Sequence, residues 1–171
     1  MMKKQNTTGS EMTFQQAYEK LAALCARGEH CQYEMHEKLR QWGFDETQRS
    51  QIIARLVSER YVDDERYTKA FVNDKIRYNH WGRRKVEQAL WAKHIDDALA
   101  REVLDDIDDA AYVDILRPML RQKRKSTTAK NDYELNMKLM KWAIGRGFTM
   151  DIIRQCITVG NDESEFPDED F

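Results

Sequence analysis

One spacing recurs along this chain and limits what it can fold into. Met35, Leu39, Phe44, Asp45, Ile52, Ile53 and Leu56 are matched, at a constant interval of about fifty positions, by Val86, Leu90, Ile95, Asp96, Val103, Leu104 and Ile107. A third copy fits the same frame. Leu139, Ala143 and Phe148 stand for Met35, Leu39 and Phe44, and Cys156 and Ile157 for Ile52 and Ile53. Within each copy the apolar residues fall at helical spacing. Such self-similarity implies stacked helical units that bury each other's apolar faces. The expected fold is all-α: tandem three-helix repeats, three units in an elongated, curved right-angled stack. A single globular bundle would carry similar stripes without the fixed offsets.

The helix punctuation follows the frame. Thr13-x-x-Gln16 is a capping-box pattern ahead of Phe14, Ala17, Leu21, Leu24 and Cys25. Gly28 ends that first helix. A second helix carries Tyr33, Met35 and Leu39 and stops at Trp42-Gly43, where Gly43 suits a left-handed closing residue. Asp45 caps the third helix. In the second unit, Asp63 or Asp64 caps a helix bearing Tyr67, Ala70, Phe71 and Asp74. Gly82 then breaks the pattern, Val86, Ala89 and Leu90 form the next stripe, and Asp96 caps the last helix. Gly147 takes the Gly43 position in the third unit. His94 takes it in the second, at a cost if that residue is left-handed.

The third unit begins near Asp108 or Asp109, with Tyr112, Val113, Leu116, Met119 and Leu120 on one face. Pro118 is expected to kink or shorten this helix, since an interior proline removes a backbone hydrogen bond. The basic run Arg121–Asn131 reads as a helix end entering a connection longer than its counterparts. The expected domain plan is a disordered leader over 1–12, repeats over 13–62, 63–107 and 108–159, and an acidic disordered tail over 160–171.

Composition excludes several classes. Charged residues make up 34% of the 171-residue chain, with 7 glycines and 2 prolines, which suits helices and leaves few turns for a sheet. No apolar run approaches the ~20 residues of a membrane span. The N-terminus lacks a signal peptide's apolar core, so a cytoplasmic location is expected. The 3 cysteines, Cys25, Cys31 and Cys156, form no C-x-x-C pair, and with His30 and His36 they match no common zinc spacing. Reduced thiols are expected, with no metal and no cofactor. No nucleophile elbow, phosphate-cradling loop or H-E-x-x-H motif occurs. The acidic pairs Asp63-Asp64, Asp105-Asp106 and Asp108-Asp109 lie at helix boundaries, where such residues act as caps. A protein that acts by binding, and is not an enzyme, is the expectation.

Two basic clusters give that expectation a place. Arg66 to Lys93 holds Arg66, Lys69, Lys75, Arg77, Arg83, Arg84, Lys85 and Lys93 against Asp74 and Glu87. Arg117 to Lys130 holds six Lys/Arg and no acid. Phosphates or an acidic protein groove would suit both. A solvated helix surface is the bland alternative. Two such clusters in a chain of formal net charge -2 favour a binding face. Trp42 and Trp142 read as packing residues near helix ends. Trp81, in a connecting loop among His80, Gly82 and Arg83, stacks on a partner or packs between units.

Part of this pattern resembles a known family. Arg27, His30, Glu34, Lys38 and Leu39, then Asp63 to Tyr67, Ala70, Lys75, Gly82, Arg83, Leu90, Lys93 and Ile95, are similar to the pattern of the RecX regulatory proteins, bacterial modulators of the RecA recombinase. The match covers Leu21 to Ile107 well and is looser from Asp108 onward. Cys31-Gln32 stands where the family usually has a serine and a basic residue, and His94 where it has glycine. The resemblance implies a monomer that binds in the groove of the RecA–DNA filament. It also implies inhibition of RecA ATPase, strand exchange and coprotease activity. Lys75, Arg77, Arg83, Arg84, Lys85 and Lys93 are the expected contacts to RecA or to single- or double-stranded DNA. Arg121, Lys123, Arg124 and Lys125 form a second set. A stand-alone helical DNA-binding protein is the alternative.

Overall fold

A computed structural model describes residues 11–159 of the chain. The expected acidic tail lies outside the described residues, as does all but Glu11 and Met12 of the expected leader. Among the described residues the regular structure is entirely helical: α1 (Phe14–Arg27), α2 (Gln32–Gln41), α3 (Glu46–Ser58), α4 (Asp64–Arg77), α5 (Arg83–Ala92), α6 (Asp97–Asp105), α7 (Asp109–Ser126), α8 (Asp132–Gly145) and α9 (Met150–Arg154), the last continuing in wider π-type turns through Gln155–Val159. None of these helices is long and apolar enough to cross a membrane.

The repeat exists because one local motif is written three times. At the end of α2 the chain closes through Gly43 at φ 90, and the Phe44 amide donates to the Leu39 carbonyl at 3.1 Å. At the end of α5 His94 takes φ 55 and Ile95 donates to Leu90 at 3.1 Å. At the end of α8 Gly147 takes φ 95 and Phe148 donates to Ala143 at 3.2 Å. In each case the residue after the apolar plug caps the next helix. Asp45 accepts from the Gln48 amide at 2.8 Å, Asp96 from Leu99 at 3.3 Å and Thr149 from Ile152 at 3.5 Å. Each such cap stabilises its helix by about 1 kcal/mol.

His94 is the exception in chemistry, not in conformation. A side chain at positive φ costs about 1–2 kcal/mol, and glycine's extra entropy in the unfolded chain offsets part of that. His94→Gly is therefore expected to stabilise the protein by about 0.5–1 kcal/mol. Urea unfolding followed by circular dichroism checks it, and a loss of stability would contradict the backbone account.

The chain divides into two compact units, Met1–Tyr67 and Thr68–Phe171. In the first, α1, α2 and α3 bury Leu21, Met35, Leu39, Ile52, Leu56 and Val62 completely. The capping box at Thr13 is closed in both directions, at 3.1 and 2.9 Å. The first turn of α4 belongs to this unit for a reason invisible in the sequence. Asp63 caps its own helix, accepting from the Arg66 amide at 3.0 Å, while Asp64 accepts from the Gln32 amide at 2.9 Å and so covers the start of α2. Burial raises the Asp64 carboxyl pKa, and the Gln32 bond opposes that shift. Arg66 pairs with Glu29 at 2.6 Å.

In the second unit the rest of α4, with α5 to α9, buries Val86, Leu90, Leu104, Leu116, Leu139, Phe148 and Ile153. Two expectations need correction here. Pro118 does not shorten α7. It is exposed, and the helix runs through it to Ser126. An exposed proline leaves the unpaired carbonyl one turn back, at exposed Asp114, within reach of water. Nor is the α7–α8 connection the long one. The extra residues lengthen α7 itself, to 18 residues against 14 in α1 and in α4, and most of the basic run is helical.

Cys31 and Cys156 are buried, and Cys25, Cys31 and Cys156 form no disulfide. Burial pushes the Cys31 thiol up to about 12 and the Cys156 thiol up to about 11. Among the described residues no group of three His, Cys, Asp or Glu side chains is placed to hold a metal ion.

Candidate nucleic-acid and protein interface

The first basic cluster is built around Trp81. Its amide donates to the Lys75 carbonyl at 3.0 Å, closing the end of α4 after His80 turns the chain at φ 57. Lys75 from α4 lies 5.0 Å from the Trp81 ring centre, and Lys85 from α5 lies 4.6 Å from it. Both ammonium groups thus sit in cation–π range of one half-buried indole. Arg77 and Arg84 are exposed on either side of this loop, and Lys93 is half-buried at the end of α5.

Arg83 differs from its neighbours. Its guanidinium donates to Glu87 at 2.8 Å and to Asp105 at 2.6 Å. The Glu87 bond, with Asp105 behind it, raises the guanidinium pKa despite partial burial. Its charge is neutralised inside the unit, and it ties α5 to the end of α6.

The second cluster repeats the aromatic theme. Lys123 of α7 lies 5.6 Å from the Trp142 ring centre and Arg146, just past α8, lies 5.2 Å from it. Arg124 donates to the Asn136 side chain at 2.8 Å, joining α7 to α8. Arg121 and Lys125 are exposed on α7. Arg146 was absent from the sequence expectation, since a lone arginine in a turn carries no local signal.

The two clusters, distant in sequence, meet across one backbone junction. The Gly82 amide donates to the Arg146 carbonyl at 3.0 Å, and the Arg84 amide donates to the Gly147 carbonyl at 2.9 Å. A Cβ on Gly82 would lie on the Phe148 amide and the Gly147 carbonyl; one on Gly147 would sit 2.5 Å from the Lys85 Cβ. Two glycines are therefore required for the backbones to touch. Together the clusters offer cations and aromatic faces, a chemistry that fits phosphates, bases and acidic protein segments alike.

Comparison with known proteins agrees with the threefold plan. Three family models match in series: the first three-helix domain of RecX over residues 17–56, the second over 63–104 and the third over 110–157. The Regulatory protein RecX of Acinetobacter baylyi is 31% identical over 137 residues, covering 79% of this chain and 82% of that protein. The chain belongs to the RecX family. The RecX protein of Vibrio campbellii is 30% identical over 152 residues, 86% of this chain and 88% of that one. A solved RecX structure from Lactobacillus salivarius superposes with a TM-score of 0.76 at 22% identity, covering 84% of this chain and 94% of that chain. A second RecX crystal structure gives a TM-score of 0.77 at 15% identity, over 84% and 72%. These two likenesses establish the fold. The curated RecX relatives are named regulatory proteins, in keeping with a site made of cations and aromatic rings.

Proposed function

We propose that this RecX protein regulates the RecA recombinase by binding the RecA–DNA filament, without catalysing a reaction of its own. Bound there, it inhibits filament ATPase, strand exchange and coprotease activity. The observation that carries this reading is the meeting of the two tryptophan–cation clusters at the Gly82–Gly147 junction. Lys75, Arg77, Arg84, Lys85 and Lys93 form one contact set; Arg121, Lys123, Arg124 and Lys125 form the other. Arg83, held by Glu87 and Asp105, acts in this reading by orienting α5 and with it Arg84 and Lys85.

Titrating the protein into a RecA ATPase assay on single-stranded DNA tests the proposal. The expected outcome is a progressive, near-complete loss of ATP turnover as the protein is added. Tight DNA binding without any effect on RecA would instead favour a stand-alone DNA-binding protein. No effect on RecA and no DNA binding would leave only a helical scaffold.

A further inference from the structure

Trp91 differs from the other tryptophans. Trp42 pairs with Lys20, Trp81 with Lys75 and Lys85, and Trp142 with Lys123 and Arg146. Those three rings are half-buried, whereas Trp91 is 75% exposed and has no cation over it among the described residues. It lines a groove between α5 and α6, with a cavity of about 370 Å³. Ile95 and Leu104 line the groove and are buried, so they form its floor. Asp97 and Arg101 line it and are exposed, so they form its rim. Arg83 and Glu87 also line it, but as a mutual ion pair that Asp105 completes. An open indole above a concave apolar floor is more than a single apolar side chain on a surface.

The helix that forms the second wall is acidic. From Asp96 to Asp109 the chain carries seven acids, all exposed, against one base, Arg101. The fold accounts for some of them. Asp96 caps α6, Asp105 holds Arg83, and Asp97 and Asp109 suit the first turns of α6 and α7. It does not account for the others. Asp108 makes no side-chain cap bond. Asp106 stands at the C-terminal end of α6, where the helix dipole disfavours a carboxylate. Glu102 is exposed in the middle of the same helix. This surface repels phosphates and attracts lysine and arginine, the reverse of the two basic clusters.

We propose that the α5–α6 groove docks a protein segment that presents one large aliphatic or aromatic side chain flanked by lysine or arginine. The apolar side chain packs on Ile95 and Leu104 against the Trp91 indole. The flanking cations meet Asp97 and the unpaired acids of α6. Tryptophan is the residue type that most often anchors such contacts. The inference rests on the function proposed above and deepens it: the groove takes a RecA subunit of the filament, and nucleic acid stays with the cationic clusters.

The test compares the parent with Trp91→Ala and with Glu102→Lys/Asp106→Lys, on RecA-coated single-stranded DNA and on the same DNA bare. Trp91→Ala should weaken filament binding about thirtyfold and leave affinity for bare DNA unchanged. Trp91→Phe should restore most of the loss. The double variant should slow association with the filament about tenfold at low salt, and far less at about 0.5 M, where charges are screened. Circular dichroism should show the parent's helix content in all three variants. A benzoylphenylalanine at position 91 should crosslink, on irradiation of the filament complex, to a RecA peptide that carries lysine or arginine beside an apolar residue. Unchanged filament affinity in Trp91→Ala overturns the docking. An equal loss on bare DNA overturns it in favour of a nucleic-acid contact. A crosslink to a second copy of this chain overturns it in favour of self-association. A parent protein that binds bare DNA and not the filament overturns the proposed function and the RecA docking together, an outcome distinct from a parent that binds the filament without using Trp91.

Discussion

Gly147→Ala is expected to lower the midpoint of thermal unfolding by about 10 °C. Two costs add. The residue sits at φ 95, where a side chain costs about 1–2 kcal/mol. Its new Cβ would also meet the Lys85 Cβ at 2.5 Å and the Lys85 amide nitrogen at 2.6 Å. Overpacking of that kind costs about 1–3 kcal/mol. A total near 3 kcal/mol corresponds to roughly 10 °C for a chain of this size. Gly82→Ala should fall in the same range by a different route. Its backbone, at φ -79, accepts any residue, but the Cβ has no room against Gly147 and Phe148. Relief would require breaking the bonds from Gly82 to Arg146 and from Arg84 to Gly147, each worth about 1 kcal/mol.

The other glycines provide the scale. Gly43 is left-handed at φ 90 with nothing within 4 Å, so alanine there meets only the conformational cost. Gly145 and Gly28 have open space and no positive φ, and alanine at the helical Gly145 should be neutral or slightly stabilising. Differential scanning calorimetry of the five alanine variants should rank Gly147 and Gly82 first, Gly43 next, and the remaining two near the parent. Equal midpoints for Gly147→Ala and Gly145→Ala would mean that the junction does not form.

These glycines mark where a sequence stops being readable. The repeat was legible because caps and helix ends are local chemistry. Asp45 and Asp96 bond three residues ahead, and Gly43, His94 and Gly147 turn the chain in place. Apolar stripes identified the core for the same reason: Ile52, Val103 and Cys156 are all buried at matching positions. By contrast, Gly82 read as a mere helix breaker, since its reason for being glycine lies at Gly147 in the next repeat. Asp64 read as an alternative cap for its own helix, while its actual partner is the Gln32 amide. Arg83 counted as one more surface cation because its neutralising partner Asp105 lies beyond any local window. The meeting of the basic clusters was likewise out of reach, being a property of how helices pack and not of spacing along the chain.

That distinction among the cations sets the expected outcome of charge reversal. Arg77, Arg84, Arg121 and Lys125 are exposed, two from each cluster. Changing all four to glutamate should leave thermal unfolding within about 1 kcal/mol of the parent, because exposed charges contribute little to stability. Binding should suffer far more. A lost phosphate contact costs roughly fivefold at 0.15 M salt, so four contacts predict a loss of affinity for the filament of at least about a hundredfold. The slope of log affinity against log salt should shrink by about 3. Lys75 and Lys85 are less suitable for reversal, since their stems and charges cover Trp81 and a carboxylate there would face the ring's negative π-cloud. Arg83→Glu should behave in the opposite manner to the exposed set. It would place a third carboxylate beside Glu87 and Asp105 and reduce stability, with filament binding lost only as the fold is lost. Fluorescence anisotropy across a salt series, on labelled DNA coated with RecA, measures both quantities. Unchanged affinity and slope in the quadruple variant would remove these cations from the interface and leave the tryptophan faces to account for binding.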